Sequence, residues 1–156
     1  MSNRCWLFKS EPTAYSFEDL IKDEVAEWDG VRNYQARNML RDDIKSGDKV
    51  LFYHSNAQPL VVVGTALVVK SGYPDHTAWD VHSEHPDPKS TPDNPIWYMV
   101  DIVPDKLFSN SVTRVSMMRN PFLTDMILLK KGTRLSIQPV TKEEFEEVVR
   151  MSNSIQ

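Results

Sequence analysis

With 156 residues, 40% of them hydrophobic, the chain can bury one substantial core but has little room for a second, so residues 1–156 are expected to form a single domain. Its formal net charge of −4 argues against broad, charge-driven binding of long duplex nucleic acid, and its single cysteine, Cys5, excludes an internal disulfide. The longest apolar run, residues 60–69, is interrupted by Gly64 and Thr65 and falls short of a bilayer span, and Arg4, Lys9 and Glu11 break up any apolar leader. The expected setting is therefore intracellular, in the cytoplasm, with no membrane partner.

In chain order, residues 5–9 read as a strand that buries Cys5 and Trp6, and Ser16-Phe17-Glu18-Asp19 as a helix N-cap with acidic first-turn residues, opening a helix to about residue 23. Residues 34–42 suit an amphipathic helix with Ala36, Met39 and Leu40 inward. Residues 49–53 and 60–70, rich in Val, Leu and Phe, read as strands. Residues 71–95 are punctuated by Pro74, Pro86, Pro88, Pro92 and Pro95 and read as one long loop, of the kind that is more often functional than a plain connector. Strand character returns at 97–103, a short helix after Thr113 is broken by Asn120-Pro121, and residues 135–140 form a last strand. Thr141-Lys142-Glu143-Glu144 is a capping box that opens a terminal helix packing Phe145, Val148 and Val149. This order of elements indicates an α+β domain on a strongly curved sheet.

Charge is unevenly spread. Residues 32–49 carry five basic and three acidic side chains and residues 114–134 five and one, whereas residues 1–31 and 80–95 are acidic. Brought together by the fold, the two basic segments would make a phosphate-facing patch; apart, they are ordinary solvated faces.

Recognition chemistry is densest in residues 28–38. Trp28 and Tyr34 offer aromatic faces, Asn33, Gln35 and Asn38 paired donors and acceptors, and Arg32 and Arg37 planar cationic forks suited to phosphates or base edges. Asn33 can cap a helix whose first turn exposes N–H groups. By contrast, Ser55 beside His54, with Asp80 or Asp101 elsewhere, makes a poor hydrolase set, because neighbours on a strand point to opposite faces and no Gly-x-Ser-x-Gly elbow exists. His76, His82 and His85 sit in a proline-rich stretch without cysteine ligands, so no metal is expected, and there is no glycine-rich phosphate loop. A non-catalytic module without a cofactor is the expectation.

Several motifs, Lys9-Ser10-Glu11-Pro12, the 28–38 segment, Phe52-Tyr53-His54-Ser55, Pro88-Lys89-Ser90, Asn94-Pro95, Trp97-Tyr98-Met99-Val100-Asp101 and the run from Arg134 through Ser136 to Val140, together closely resemble the EVE domain family. The resemblance covers nearly the whole chain, and it departs from some members at 110–120, where Ser111, Val112 and Met117-Met118 replace a more regular helix. It implies a PUA-like fold, a curved β-barrel flanked by helices, related to the YTH readers of methylated adenine in RNA. It also implies a reader of modified bases in DNA or RNA, nuclear if the source is eukaryotic. In that likeness Lys9-Ser10 forms a pocket edge, Trp28 the first cage wall and Asn33 the start of the next helix, with either Trp79 or Trp97 as the second aromatic wall.

The chemistry of such a pocket follows from its residues. Stacking on Trp28 offsets the cost of extruding a base, and Ser10 and Asn33 are placed to read its Watson–Crick edge. Tyr34, His54, Ser55 and Ser136 complete the expected wall, with His54 and Ser55 suited to a small polar substituent. Lys9, Arg32, Arg37 and Arg134 are expected to hold flanking phosphates. Two rivals use the same cleft: a sensor of a small anionic or planar ligand or a modified nucleotide, and a protein-interaction adaptor.

Overall fold

A computed structural model of the chain describes residues 3–153. Its framework is a mixed six-stranded sheet built from Cys5–Ser10 (β1), Ala26–Glu27 (β2), Lys49–His54 (β3), Val61–Pro74 (β4), Tyr98–Thr113 (β5) and Ile137–Val140 (β6). The strand order is β2-β5-β4-β3-β1-β6; β1 and β3 run parallel and every other pair is antiparallel. The helices are Phe17–Asp23 (α1), Tyr34–Asn38 (α2), Arg114–Met118 (α3) and Lys142–Ser152 (α4). This is the expected α+β class. The expected barrel is not closed, however: β2 and β6 remain sheet edges, and the two residues of β2 offer too short a ladder for closure.

Cys5 to Phe8 are all buried, and successive residues enter different cores. Cys5 and Leu7 join Leu51, Tyr53, Val62 and Val112 under α4, which contributes Phe145, Val148 and Met151. Trp6 and Phe8 face the other way, with Val50, Phe52, Val100 and Ile102 and with Phe17, Leu20, Ala36 and Leu40 from α1, α2 and the turn that follows. A sheet covered on both faces needs apolar residues at every position, which is why β1 and β3 read as continuous hydrophobic runs rather than alternating ones. The buried Asp48 carboxylate ties the start of β1 to the turn before β3, accepting from Arg4 N (3.0 Å), Lys45 N (2.9 Å) and the Trp6 indole Nε1 (2.9 Å). Trp6 thereby occupies the core with its one donor satisfied.

Three local expectations change. The 34–42 helix is α-helical only to Asn38 and then widens into a π turn, Met39–Asp43, closed by Ile44 N on Met39 O at 2.9 Å; this widening buries both Leu40 and Ile44. The strand β4 continues through residues expected to be loop, up to Pro74, and β5 extends well past residue 103. The β4–β5 register shifts at four places between Val62 and Tyr73, one of them beside Pro104, and such irregularities bend the sheet.

Gly64 marks the tightest of these crossings. A Cβ there would lie 2.4 Å from the Lys106 carbonyl oxygen and 2.8 Å from Phe17 Cζ, and the Phe17 ring is buried. Gly64→Ala is expected to cost about 1–3 kcal/mol of stability, read as a lower urea midpoint at unchanged slope. A midpoint equal to the parent's would show that β4 and β5 part easily here.

Candidate functional site

The end of β1, the loop into α1, the strand β2 and the 28–33 loop enclose a cleft of about 700 Å³. Lys9, Ser10, Trp28, Arg32, Asn33 and Ser136 line it, drawn from three distant parts of the sequence. Ser136 arrives because Lys9 N donates to its carbonyl oxygen at 2.8 Å, continuing the β1–β6 ladder.

Trp28 is held from behind. Its N–H donates to Val100 O at 2.8 Å, and its half-buried ring packs on Phe8 (5.4 Å between centroids) and edge-on to Phe52 (5.6 Å). Tyr15 meets it edge-on at 6.1 Å and lines the same cleft. The Tyr15 hydroxyl donates to Asp23 Oδ2 at 2.9 Å; burial first, then that carboxylate, pushes the phenol well above its ordinary range. Tyr15 is thus the aromatic partner of Trp28, a role invisible in the sequence because an isolated tyrosine between Ala14 and Ser16 carries no pattern.

The loop that carries Trp28 is fastened to the 75–97 segment through Asp75, which is fully buried. Asp75 Oδ2 accepts from Gly30 N (2.9 Å) and Arg32 Nη1 (3.0 Å), while Oδ1 accepts from Thr77 N (2.9 Å) and Thr77 Oγ1 (2.5 Å). Burial works to raise this carboxyl, but the Thr77, Gly30 and Arg32 donors prevail and hold it below its ordinary value. Gly30 has φ +77°, and a Cβ on it would lie 2.3 Å from the His85 ring, so the histidine occupies the space a side chain would need. His85 O in turn accepts from Arg32 Nε and Nη2 at 3.2 and 2.6 Å.

These bonds leave defined polar capacity in the cleft. Ser10 Oγ donates its only proton to Tyr15 O at 2.5 Å and so faces the cleft as an acceptor. Asn33 Oδ1 accepts from Ala36 N at 2.9 Å as the N-cap of α2, which leaves its amide N–H groups as donors. Lys9 is half-buried and forms no ion pair among the described residues; burial, then the charge of Arg114, holds its ammonium below the ordinary value. Glu11, Asp23, Glu27, Asp29 and Glu84 line the same cleft. Asp29 is raised by burial and by Asp75, against the pull of His85, whose Nε2 lies 3.7 Å from its Oδ1.

The other expected residues lie outside this lining. Trp97 is 5% exposed, donates Nε1 to Asp87 Oδ2 at 2.7 Å, and packs against the tilted Tyr34 ring (4.9 Å) and the Arg32 guanidinium (5.5 Å). Arg37 donates to Ile96 O at 2.6 Å and stacks on the exposed Tyr34 ring at 5.1 Å. Trp79 ends a 3-10 turn away from the cleft, and Arg134 is exposed two residues before Ser136. His54 Nε2 accepts from Phe17 N at 3.1 Å, and Ser55 N donates to Ser10 O at 3.0 Å, so both support Ser10 and α1 from behind. Arg32 does line the cleft, but its donors are committed to Asp75 and to the Val31 and His85 carbonyls. Among the described residues no cluster of three or more His, Cys, Asp or Glu could hold a metal ion, and no helix is long and apolar enough to cross a membrane.

A two-faced α+β sheet carrying this cleft is the architecture of a known class: residues 4–151 match the EVE domain model, and the chain belongs to that family. It is 38% identical to thymocyte nuclear protein 1 of Danio rerio, over 95% of this chain and 71% of the relative. A hypothetical protein from Leishmania major superposes with a TM-score of 0.91 at 42% identity, covering 97% of this chain and 96% of that one. The human THYN1 protein, solved in complex with DNA containing 5-methylcytosine, superposes with a TM-score of 0.89 at 37% identity, covering 99% and 100%.

Burial dominates at His54 and lowers its pKa, with Glu18 opposing. A histidine that prefers to stay neutral in the fold gives stability that is complete above its unfolded value of about 6.5 and is lost as pH falls from there through the lowered folded value. Urea unfolding between about pH 7 and pH 5 should therefore show a stability loss that is smaller in His54→Gln, whose amide oxygen can still accept from Phe17 N. Equal pH slopes in the two proteins would remove His54 as a contributor.

Proposed function

We propose that the chain is a non-catalytic, cofactor-free nucleic-acid-binding module that takes one modified base, turned out of its stack, into the cleft beside Trp28. The observation that carries this reading is the matched polarity of Ser10 and Asn33. One is left as an acceptor and the other as a donor, in the same cleft as the Trp28 ring. A base edge that alternates an exocyclic amino group with a ring acceptor, as in cytosine or adenine, satisfies both.

Magnitudes agree with this choice. Extrusion costs a few kcal/mol, and stacking on an aromatic ring returns about 1–3 kcal/mol per base, with the edge hydrogen bonds adding to it. Carboxylates inside the cleft repel phosphate, so the anionic backbone belongs at Lys9 and outside the cleft. The human relative solved with 5-methylcytosine-containing DNA makes that base the first probe.

The test is a fluorescence-polarisation panel of matched DNA and RNA strands, plain and modified, against the protein and Trp28→Ala. Modified strands are expected to bind more tightly than plain ones, and Trp28→Ala to lose roughly 5- to 150-fold while keeping a cooperative melt. Ser10→Ala, which spares the aromatic wall, should narrow the preference. If no modified strand outbinds its plain counterpart, the reader proposal is wrong; stabilisation by a free modified nucleoside but by no strand would point to a small-molecule sensor instead.

A further inference from the structure

Resting on the base-reading proposal above, we infer a second nucleic-acid contact outside the cleft: the α3 surface and the turn after it, with Arg114 and Arg119 on phosphates and Phe122 stacked against a neighbouring base. Three independent observations converge on this surface.

The first is position. Ser10 pairs with His54, His54 with Val61 and Val61 with Thr113, so one row across the sheet joins the cleft edge to the N-cap of α3. Three strand spacings put Thr113 about 14 Å from Ser10. That distance lies within the width of a duplex, and Arg114 is near enough for its charge to act on Lys9. The cleft and α3 therefore lie at the same end of the sheet, Trp28 packing on one of its faces and Met117 of α3 on the other.

The second is charge. Residues 114–134 hold five basic side chains against one acidic, and among the described residues none of Arg114, Arg119, Lys130, Lys131 or Arg134 forms an ion pair. The nearby Glu147 is ionised, but its carboxylate is paired with Arg150 and accepts from Asn120. On a chain whose net charge is −4, a cationic segment without ion pairs is complementary to a polyanion.

The third is exposed apolar surface in the same segment. Val115 is 57% exposed, Met118 56% and Phe122 78%. Phe122 is oriented by Asn120, whose Oδ1 accepts the Phe122 N–H at 2.9 Å, so an aromatic ring stands out from an ordered turn. An exposed aromatic face with Arg119 beside it matches a stacked base and its phosphate. A protein partner would have to bring its own acidic rim.

A duplex with a central 5-methylcytosine and its unmodified twin are titrated at several salt concentrations against the protein, Arg114→Ala/Arg119→Ala, the corresponding double Lys variant, and Phe122→Ala. The double Ala variant is expected to weaken both duplexes by the same factor, about tenfold or more at low salt, and to reduce the log–log salt slope by about 2. The ratio of modified to plain affinity should stay unchanged, and the double Lys variant should restore most of the loss. Phe122→Ala should weaken binding by roughly tenfold with the salt slope intact. Parent-like affinities and slopes in the Ala variants would overturn the inference while leaving the cleft reading in place. A change confined to the modified-to-plain ratio would also overturn it, because it would assign α3 to the cleft. If the unmutated protein binds neither duplex, the base-reading proposal falls and this surface with it.

Discussion

The buried carboxylate of Asp75 is the interaction on which the geometry of the cleft depends. It lies 45 residues from Gly30 and 43 from Arg32, yet it takes donors from both and from its own loop. An ionised group at zero exposure is tolerable only when its lone pairs are filled, and here four donors fill them. One anion thereby fixes two loops whose backbones would otherwise be free to move, and Trp28 is positioned at their junction. The His85 ring lodged over Gly30 and the His85 carbonyl under Arg32 reinforce the same joint.

Much of the fold could be read directly from residue pattern. The caps at Ser16 and Thr141 are both reciprocal capping boxes, because each signature needs only four consecutive residues and its physics is local. The continuous apolar runs of β1 and β3 likewise announce strands. What the pattern hid was the length of β4 and β5: prolines argue for loops, and only the partner strand's irregular register shows how the ladder accommodates them. Sheet closure was equally hidden, since it depends on which edges meet.

For the cleft, the chemistry of residues 28–38 was legible but its allocation was not. Arg32, Arg37, Tyr34 and Trp97 do stack and donate as their side chains suggest, but to one another, to Asp75 and to carbonyls of the protein itself. A guanidinium suited to a phosphate is equally suited to a buried carboxylate, and sequence alone does not choose. Tyr15 and Asp75 gave no warning because their roles rest on contacts rather than on neighbours. Ser10 and Asn33 keep one fixed polarity each through separate bonds, Ser10 by donating to Tyr15 O and Asn33 by accepting from Ala36 N.

The open sheet has a consequence for solubility. Exposed strand edges invite other chains to add a further strand, and a curved sheet that fails to close has two of them. Here β2 is two residues long and β6 four, and β6 carries Pro139, which has no N–H to offer. Both edges are therefore blunt. The protein can keep its sheet open without presenting a ladder on which aggregation could begin.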